Sequence, residues 1–311
     1  MSRKRVFVDG SSGTTGLRIR ERLAGREDLE LVLLPEELRK DPSARRDALC
    51  SAEIAFLCLP DAAAQEAAEL AEESDTVLID TSTAHRVSPG WTYGFPELKG
   101  QREKIIASKR ISNPGCHASG FIALIAPLQE AGLLSPDVAL SAFSLTGYTG
   151  GGKKMIGEYE DPGRSPLLGA PRMYGLGQSH KHLPEMQKYC GLFKTPIFCP
   201  IVADFPTGME VVVPVFRESL KGTKENVVNL YRSYYQSGLI RYCEDADEGG
   251  FLSAGGLSGR DDMEIAVFGN EDRILLVSRF DNLGKGASGA AIQNLNLVLG
   301  LEENTGLSLE K

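Results

Sequence analysis

The chain has no CxxC pair, no apolar run near the roughly 18 residues that cross a bilayer, and no surplus of positive charge. Its 34 Lys and Arg against 42 Asp and Glu leave a net charge of −8. That balance argues against a broad electrostatic footprint for nucleic acid or anionic lipid, so any anionic ligand must be held by local cations. The six cysteines (Cys50, Cys58, Cys116, Cys190, Cys199, Cys243) are scattered, and the charged opening Met1-Ser-Arg-Lys-Arg5 carries no secretion signal. Free thiols in a reducing, cytoplasmic setting are therefore expected rather than a disulfide framework, and no membrane partner. With 311 residues, 42% hydrophobic and 24% charged, the chain is long enough for one large domain or two ordinary ones.

Strand-like and helix-like segments alternate at first. Arg5–Asp9 leads through glycines into a helical pattern at Leu17, Ile19 and Leu23; Leu29–Leu34, Ile54–Leu59 and Thr76–Asp80 read as strands covered on both faces, with an Ala- and Glu-rich helix at 62–73. Such alternation predicts right-handed βαβ units and a parallel sheet. After about residue 115 the texture changes to an apolar helix at 119–131, strands near 138–145, 210–216, 264–267 and 274–279, and long glycine-bearing loops. The expectation is an α/β protein, a Rossmann-type parallel-sheet domain plus an α+β domain with a mixed sheet.

Three constellations carry chemistry. In Gly10-Ser-Ser-Gly-Thr-Thr-Gly16, glycines sit between a strand and a helix, where backbone approaches a ligand closely and free N–H groups face a pyrophosphate. At the end of the second strand, where NAD-preferring sites usually place a carboxylate, Leu34-Pro35 stands instead with Arg39 and Lys40 nearby, which favours a 2′-phosphate and NADP over NAD. In Ser112-Asn-Pro-Gly-Cys116, a thiol falls at the start of the apolar helix, where unpaired N–H groups favour the nucleophilic thiolate. The other five cysteines lack that context. Finally, His180 and His182 stand two apart; in extended backbone both imidazoles face one side, and one can serve as acid/base for Cys116. A zinc site is the rival for this pair, but no matching ligand cluster appears elsewhere, so no metal is expected. His180 is favoured as the base because Pro184 and Glu185 would tie His182 to the next helix. His117 is expected to point away from the thiol.

These motifs, with Asp80-Thr-Ser-Thr-Ala-His-Arg86, Gly94-Phe-Pro-Glu97, His180-Lys-His-Leu-Pro-Glu185 and Asp281-Asn-Leu-Gly-Lys-Gly-Ala-Ser-Gly289, make the chain resemble the N-acetyl-gamma-glutamyl-phosphate reductases in their shorter form, relatives of the aspartate-semialdehyde dehydrogenases. His117 and Ser119 depart from longer members, which tend to carry an aromatic and a Thr there. The resemblance implies an NADP-binding domain of residues 1–114 with 284–311, a catalytic and oligomerising domain of residues 115–283, and reduction of an acyl phosphate through a Cys116 thioester. It implies a cofactor set of Gly10, Ser11, Ser12, Gly13, Thr14, Thr15, Gly16, Arg39, Ser82 and Asn282, a small-molecule acyl-phosphate partner and a homo-oligomer. Asn113, Glu185 and the cations Arg86, Lys153 and Arg260 are candidates for the substrate, since a net-acidic chain needs specific cations there. Two alternatives stay open at this point: the same chemistry on aspartyl or aminoadipyl phosphate, or a nicotinamide-binding redox sensor without turnover.

Overall fold

The computed structural model describes residues 3–236 and 238–309. Contacts divide the chain into two compact units, Met1–Pro114 with Ala287–Leu307, and Gly115–Gly286 with Ser308–Lys311. This division departs from the boundaries read in the sequence at two short stretches. A Cβ at Gly286 would lie 2.9 Å from Cβ of Cys116, so the turn at 284–286 belongs with the second unit. The Ser308 carbonyl accepts the Asp261 N–H and the Ser308 N–H donates to the Asp261 carboxylate, which draws the end of the chain there too.

In the first unit the strands are β1 (Lys4–Asp9), β2 (Leu29–Val32), β3 (Ile54–Leu57), β4 (Val77–Asp80), β5 (Thr92–Tyr93) and β6 (Arg110–Ser112). The helices are α1 (Thr14–Ala24), α2 (Pro42–Ser51), α3 (Asp61–Leu70) and α4 (Gln101–Ile106). All strand pairings are parallel, in the order β2-β1-β3-β4-β6-β5. The apolar runs read as two-sided strands are buried on both faces. Val6, Val8, Ile54 and Phe56 join Ile19, Leu23, Ile292 and Leu295 in one core, whereas Phe7, Ala55 and Leu57 join Ala48, Leu49 and Ala67 in the other. The chain leaves β1 toward β2 on one side and returns to β3 on the other, so the C-terminal end of β1 is the switch point where such sheets bind ligands.

The second unit begins with α5 (Cys116–Glu130), followed by β7 (Ser141–Gly147), α6 (Gly152–Glu160), β8 (Arg172–Met173), α7 (Leu183–Tyr189), β9 (Ile197–Ala203), β10 (Met209–Phe216), α8 (Lys224–Tyr234), β11 (Ile240–Tyr242), β12 (Met263–Gly269) and β13 (Arg273–Phe280). Its sheet is mixed, in the order β11-β12-β13-β10-β7-β9-β8. Every residue of α5 from His117 to Leu128 is buried, the pattern of a helix enclosed on all sides. Gly120 allows the closest approach: a Cβ there would meet Ser278 and Val211 at 2.6 Å. Pro127 lacks the N–H that would bond the carbonyl of Ala123, and the Tyr235 hydroxyl donates to that carbonyl instead, at 2.6 Å. The last helix, α9 (Gly289–Val298), returns to the first unit. Among the described residues no helix is long and apolar enough to cross a membrane.

Candidate active site

In the first unit the glycine turn follows β1 directly. Gly10 has φ +80°, and a Cβ there would lie 2.2 Å from the Cys58 carbonyl oxygen; at Gly16 it would lie 2.4 Å from the carbonyl oxygen of Gly10. The backbone is folded on itself too tightly for side chains at either position. Gly13 is the N-cap of α1 and supplies no side-chain cap, while the Thr14 Oγ1 is buried without a hydrogen-bond partner. Ser11 is buried, Thr15 half-buried and Ser12 exposed. An uncapped helix start with an unsatisfied hydroxyl beside it fits the phosphates of a dinucleotide. Beyond β2, Arg39 is half-buried and its Nε donates to the Leu34 carbonyl at 3.4 Å, which fixes a cation where the sequence lacks a carboxylate; Lys40 is exposed.

At the end of β4, Ser82 donates through both N–H and Oγ to the buried Asp80 carboxylate, at 2.9 and 2.8 Å. The same carboxylate meets His85 Nδ1 at 2.7 Å, and the His85 ring stacks on Trp91 with centroids 3.9 Å apart. Two residues assigned to substrate turn out to brace this unit. Arg86 donates to the carbonyls of Asn113 and Thr81, and the Asn113 amide donates to the Ala287 carbonyl at 3.0 Å. Such a buried guanidinium satisfies the lone pairs of the main-chain carbonyls around it.

In the second unit Cys116 opens α5 behind Gly115, as the turn chemistry implies. The buried Glu185 carboxylate accepts the Gly115 N–H at 3.1 Å, so Glu185, expected on the substrate, clamps the turn that precedes Cys116. His180 and His182 do meet, with ring centroids 4.7 Å apart and edge-on. The cause is not an extended chain. Gln178 takes φ 52°, its amide pairs both ways with the Phe198 backbone at 2.8 and 2.9 Å, and the Leu183 N–H turns back to the His180 carbonyl. His182 is the more buried of the two, and its backbone N–H donates to His180 Nδ1 at 3.2 Å. Neutral His180 therefore carries its proton on Nε2.

His117 packs beside this pair. Its ring lies 5.5 Å from those of both His180 and His182, and it bonds Ser144 Oγ through Nδ1 and the Tyr174 hydroxyl through Nε2, each at 2.6 Å. Burial, with a smaller contribution from His180, pushes the His117 imidazole down from 6.5 to about 3. It is neutral in the folded protein at neutral pH, whereas the unfolded chain takes up a proton below 6.5. Stability contributed by His117 is thus present above pH 6.5 and is lost as pH falls from there toward 3, at up to about 1.4 kcal/mol per pH unit. Urea midpoints of wild type and His117→Gln, compared across that window, should converge as pH falls; parallel curves would contradict a buried neutral imidazole.

The remaining candidates are placed differently. Asn282, expected to hold cofactor, accepts the Gly208 N–H at 2.9 Å and donates to Thr149 Oγ1 at 3.2 Å, pinning the loop after β7. Arg260 forks onto the Asp262 carboxylate at 2.8 and 2.5 Å, which already compensates its charge. Lys153 is exposed in the first turn of α6. Tyr174 and Ser144 were missed altogether: a tyrosine in a loop and a serine inside a strand carry no spacing signal. Among the described residues no group of three or more His, Cys, Asp or Glu is arranged to hold a metal ion.

Residues 34–107 match the semialdehyde dehydrogenase NAD-binding domain, and residues 116–282 match the semialdehyde dehydrogenase dimerisation domain. The chain is 48% identical over 306 residues to proteins named N-acetyl-gamma-glutamyl-phosphate reductase from Brucella anthropi and Brucella canis. The alignments cover 95% of this chain and 98% and 99% of those relatives. The chain belongs to the N-acetyl-gamma-glutamyl-phosphate reductase family. Among solved structures, aspartate semialdehyde dehydrogenase II from Vibrio cholerae, complexed with ASA, superposes with a TM-score of 0.74 at 18% identity, over 96% of this chain and 99% of that one. The aspartate-semialdehyde dehydrogenase from Francisella tularensis gives 0.70 at 16%, over 95% and 100%. At these identities the two shared structures establish the fold, while the family rests on the full-length relatives.

Proposed function

We propose that the protein catalyses NADPH-dependent reduction of N-acetyl-gamma-glutamyl phosphate to N-acetylglutamate semialdehyde with release of phosphate, the reductive step of arginine biosynthesis, in the cytoplasm. The observation that carries this reading is a cysteine at a glycine-bounded helix start with two imidazoles on the adjoining turn, in a chain aligned end to end with named reductases.

In this reading the first unit holds NADP: Gly10 to Gly16 take the pyrophosphate, Arg39 and Lys40 the 2′-phosphate, and Ser82 lines the strand end. When bound, the reduced nicotinamide supplies the hydride that turns a thioester into an aldehyde. The second unit does the acyl chemistry. The Cys116 sulfhydryl gives its proton to an imidazole and attacks the acyl carbon, and the tetrahedral oxyanion collapses with cleavage of the bond to phosphate. The imidazolium returns its proton to the leaving phosphate oxygen. His182 suits the accepting role, because His180 already accepts at Nδ1 and presents an Nε2–H donor; His180 then holds an oxygen of the substrate or oxyanion. After reduction the thiohemiacetal oxyanion collapses, expelling the aldehyde and regenerating the Cys116 thiolate. Lys153 is the exposed cation assigned to the substrate anion, while Arg86, Asn113, Glu185 and Arg260 support the site from their internal bonds.

A second copy of this chain is proposed to cover the open sheet face of the second unit. Ile197, Phe143, Phe216 and Leu275 share one parity of that sheet, opposite the residues under α5, and all four are exposed.

Turnover is tested by following NADPH consumption with the acyl phosphate, and in reverse with a panel of semialdehydes plus NADP and phosphate. NADPH should surpass NADH in kcat/KM, and neutralising Arg39 and Lys40 together should raise KM for NADPH alone. Equal use of both cofactors by the unmodified protein would defeat the 2′-phosphate assignment, and NADPH binding without any turnover would favour the redox sensor.

A further inference from the structure

The edge of the mixed sheet changes partner beside the histidine pair. β8 pairs with β9 through Arg172 with Val202 and Met173 with Ile201, and the Tyr174 N–H still reaches the Pro200 carbonyl at 3.0 Å. Gly175, with φ +61°, then carries the chain off the edge. The next backbone on that edge of β9 belongs to Phe198, and a side chain meets it instead of a strand. Gln178 Nε2 donates to the Phe198 carbonyl at 2.8 Å, and the Phe198 N–H donates to Gln178 Oε1 at 2.9 Å. One primary amide thus completes both the donor and the acceptor of an edge residue that no strand reaches.

Two further observations single Gln178 out. Among the described residues it is the only non-glycine with positive φ, 52°, a conformation that persists where the surroundings hold it and that clusters at functional sites. Its partner also carries the ring on which two imidazoles pack: the buried Phe198 ring lies 5.1 Å from that of His180 and 5.2 Å from that of His117, edge-on to both. Two residues after Gln178, His180 Nδ1 accepts the His182 N–H at 3.2 Å, inside a turn closed by the Leu183 N–H and the His180 carbonyl. The line of contacts runs without a gap from Gln178 through Phe198 to His180 and His182.

We infer that Gln178 is a positioning residue: its amide stands in for a strand at the β9 edge and, by fixing the turn at 180–183, holds His180 as the tautomer protonated on Nε2. Gly175 and Gly177 lie before the clamp, so motion there stops short of the imidazoles. The catalytic part rests on the proposed reaction, in which that Nε2–H holds an oxygen of the substrate or oxyanion. The titratable groups on the turn and the elements around it are Lys181, His182, Tyr174, Glu185 on α7, and Cys116 and His117 on α5; the buried Lys285 adjoins Gly286, which packs on Cys116. The substitutions at Gln178 change none of them.

The test reads the tautomer directly. Nitrogen NMR of protein carrying isotope-labelled histidine, at pH about 8 and so above the ordinary imidazole value, separates protonated from bare ring nitrogens. The signals are assigned from His85→Gln, His117→Gln, His180→Gln and His182→Gln. Wild type should show His180 protonated on Nε2 alone. Gln178→Met keeps the side-chain length and loses both bonds; it should bring in the Nδ1–H form of His180 and lower kcat roughly tenfold or more, with KM for NADPH unchanged. Gln178→Glu, whose carboxylate accepts the Phe198 N–H but repels the carbonyl, should fall between, and it carries the test if Gln178→Met does not fold. The His117 signals should stay as in wild type, since that ring bonds Ser144 and Tyr174. A pure Nε2–H form of His180 in both variants overturns the proposal, as does a change in His117 alongside His180, which would assign the effect to lost packing. A mixed tautomer with unchanged kcat overturns the catalytic role. If the tautomer shifts but wild type reduces no acyl phosphate, the clamp stands and the proposed reaction falls. Turnover by wild type with an unmoved tautomer in the variants gives the converse.

Discussion

Cys116→Ser should abolish turnover, by roughly 10³-fold or more in kcat, while leaving the NADPH dissociation constant unchanged. A factor of 10³ corresponds to about 4 kcal/mol of transition-state stabilisation. The substitution keeps the shape and the first-turn position of residue 116, so the helix start acts on both side chains alike. What changes is the atom: a serine hydroxyl remains protonated where a thiol at such a site ionises, and no neighbouring imidazole pair compensates fully for that gap. Because the glycine turn lies in the other unit, cofactor binding provides a control within the same variant. The decisive measurement is single-turnover NADPH consumption alongside a fluorescence titration of NADPH. Retention of more than about a tenth of wild-type kcat, a loss below ~1.4 kcal/mol, would rule out covalent catalysis through this residue.

Gly10→Ala should remove NADPH binding and lower the thermal midpoint of the protein, whereas Gly13→Ala should leave the fold intact and raise only KM for NADPH. The contrast follows from space. At Gly10 the backbone has φ +80°, which L side chains rarely adopt, and an added Cβ would lie 2.2 Å from the Cys58 carbonyl oxygen, a main-chain atom one residue past the paired strand β3. Neither the strand nor the turn yields without breaking the switch point, and about 3 kcal/mol is a fair minimum for such a clash combined with left-handed backbone. At Gly13 the nearest atoms to an added Cβ are 3.5 and 3.8 Å away, ordinary contacts. A methyl group there instead crowds the helix start where phosphate approaches. Thermal unfolding and NADPH titration of the two variants check this pair; equal damage from both would mean that Gly10 serves the turn no differently from Gly13.

The parts legible in the sequence are those set by local rules. A strand, three glycines and an amphipathic helix specify the first βα turn, since backbone curvature and hydrophobic period are written within a dozen residues. Cys116 was legible for the same reason, as a Pro-Gly turn followed by an apolar run specifies a helix start. The histidine pair was found on its spacing, but the stated reason, an extended chain, was wrong: Gln178 in left-handed backbone turns the segment, held by a strand residue twenty positions away. The cations found partners both near and far in the chain. Arg86 and Arg260 read as available charges, yet the fold brings the Asn113 carbonyl to one and Asp262 to the other. The partners of His117 were not legible, because its place next to Cys116 in the chain says nothing of a serine on β7 and a tyrosine beyond β8.

The burial of α5 on every side has a consequence for motion. A helix without a solvent face has no low-energy way to rock, unwind or slide, so its amide protons exchange with water only when the second unit opens as a whole. Gly120 leaves its neighbours no room to shift, and the Tyr235 hydroxyl occupies the carbonyl that Pro127 frees, where a kinked helix would otherwise yield. Cys116 is rooted in this least mobile element. In the proposed reaction, substrates are therefore brought to a fixed sulfur, and conformational adjustment falls to the glycine-rich loops after β7 and before α7.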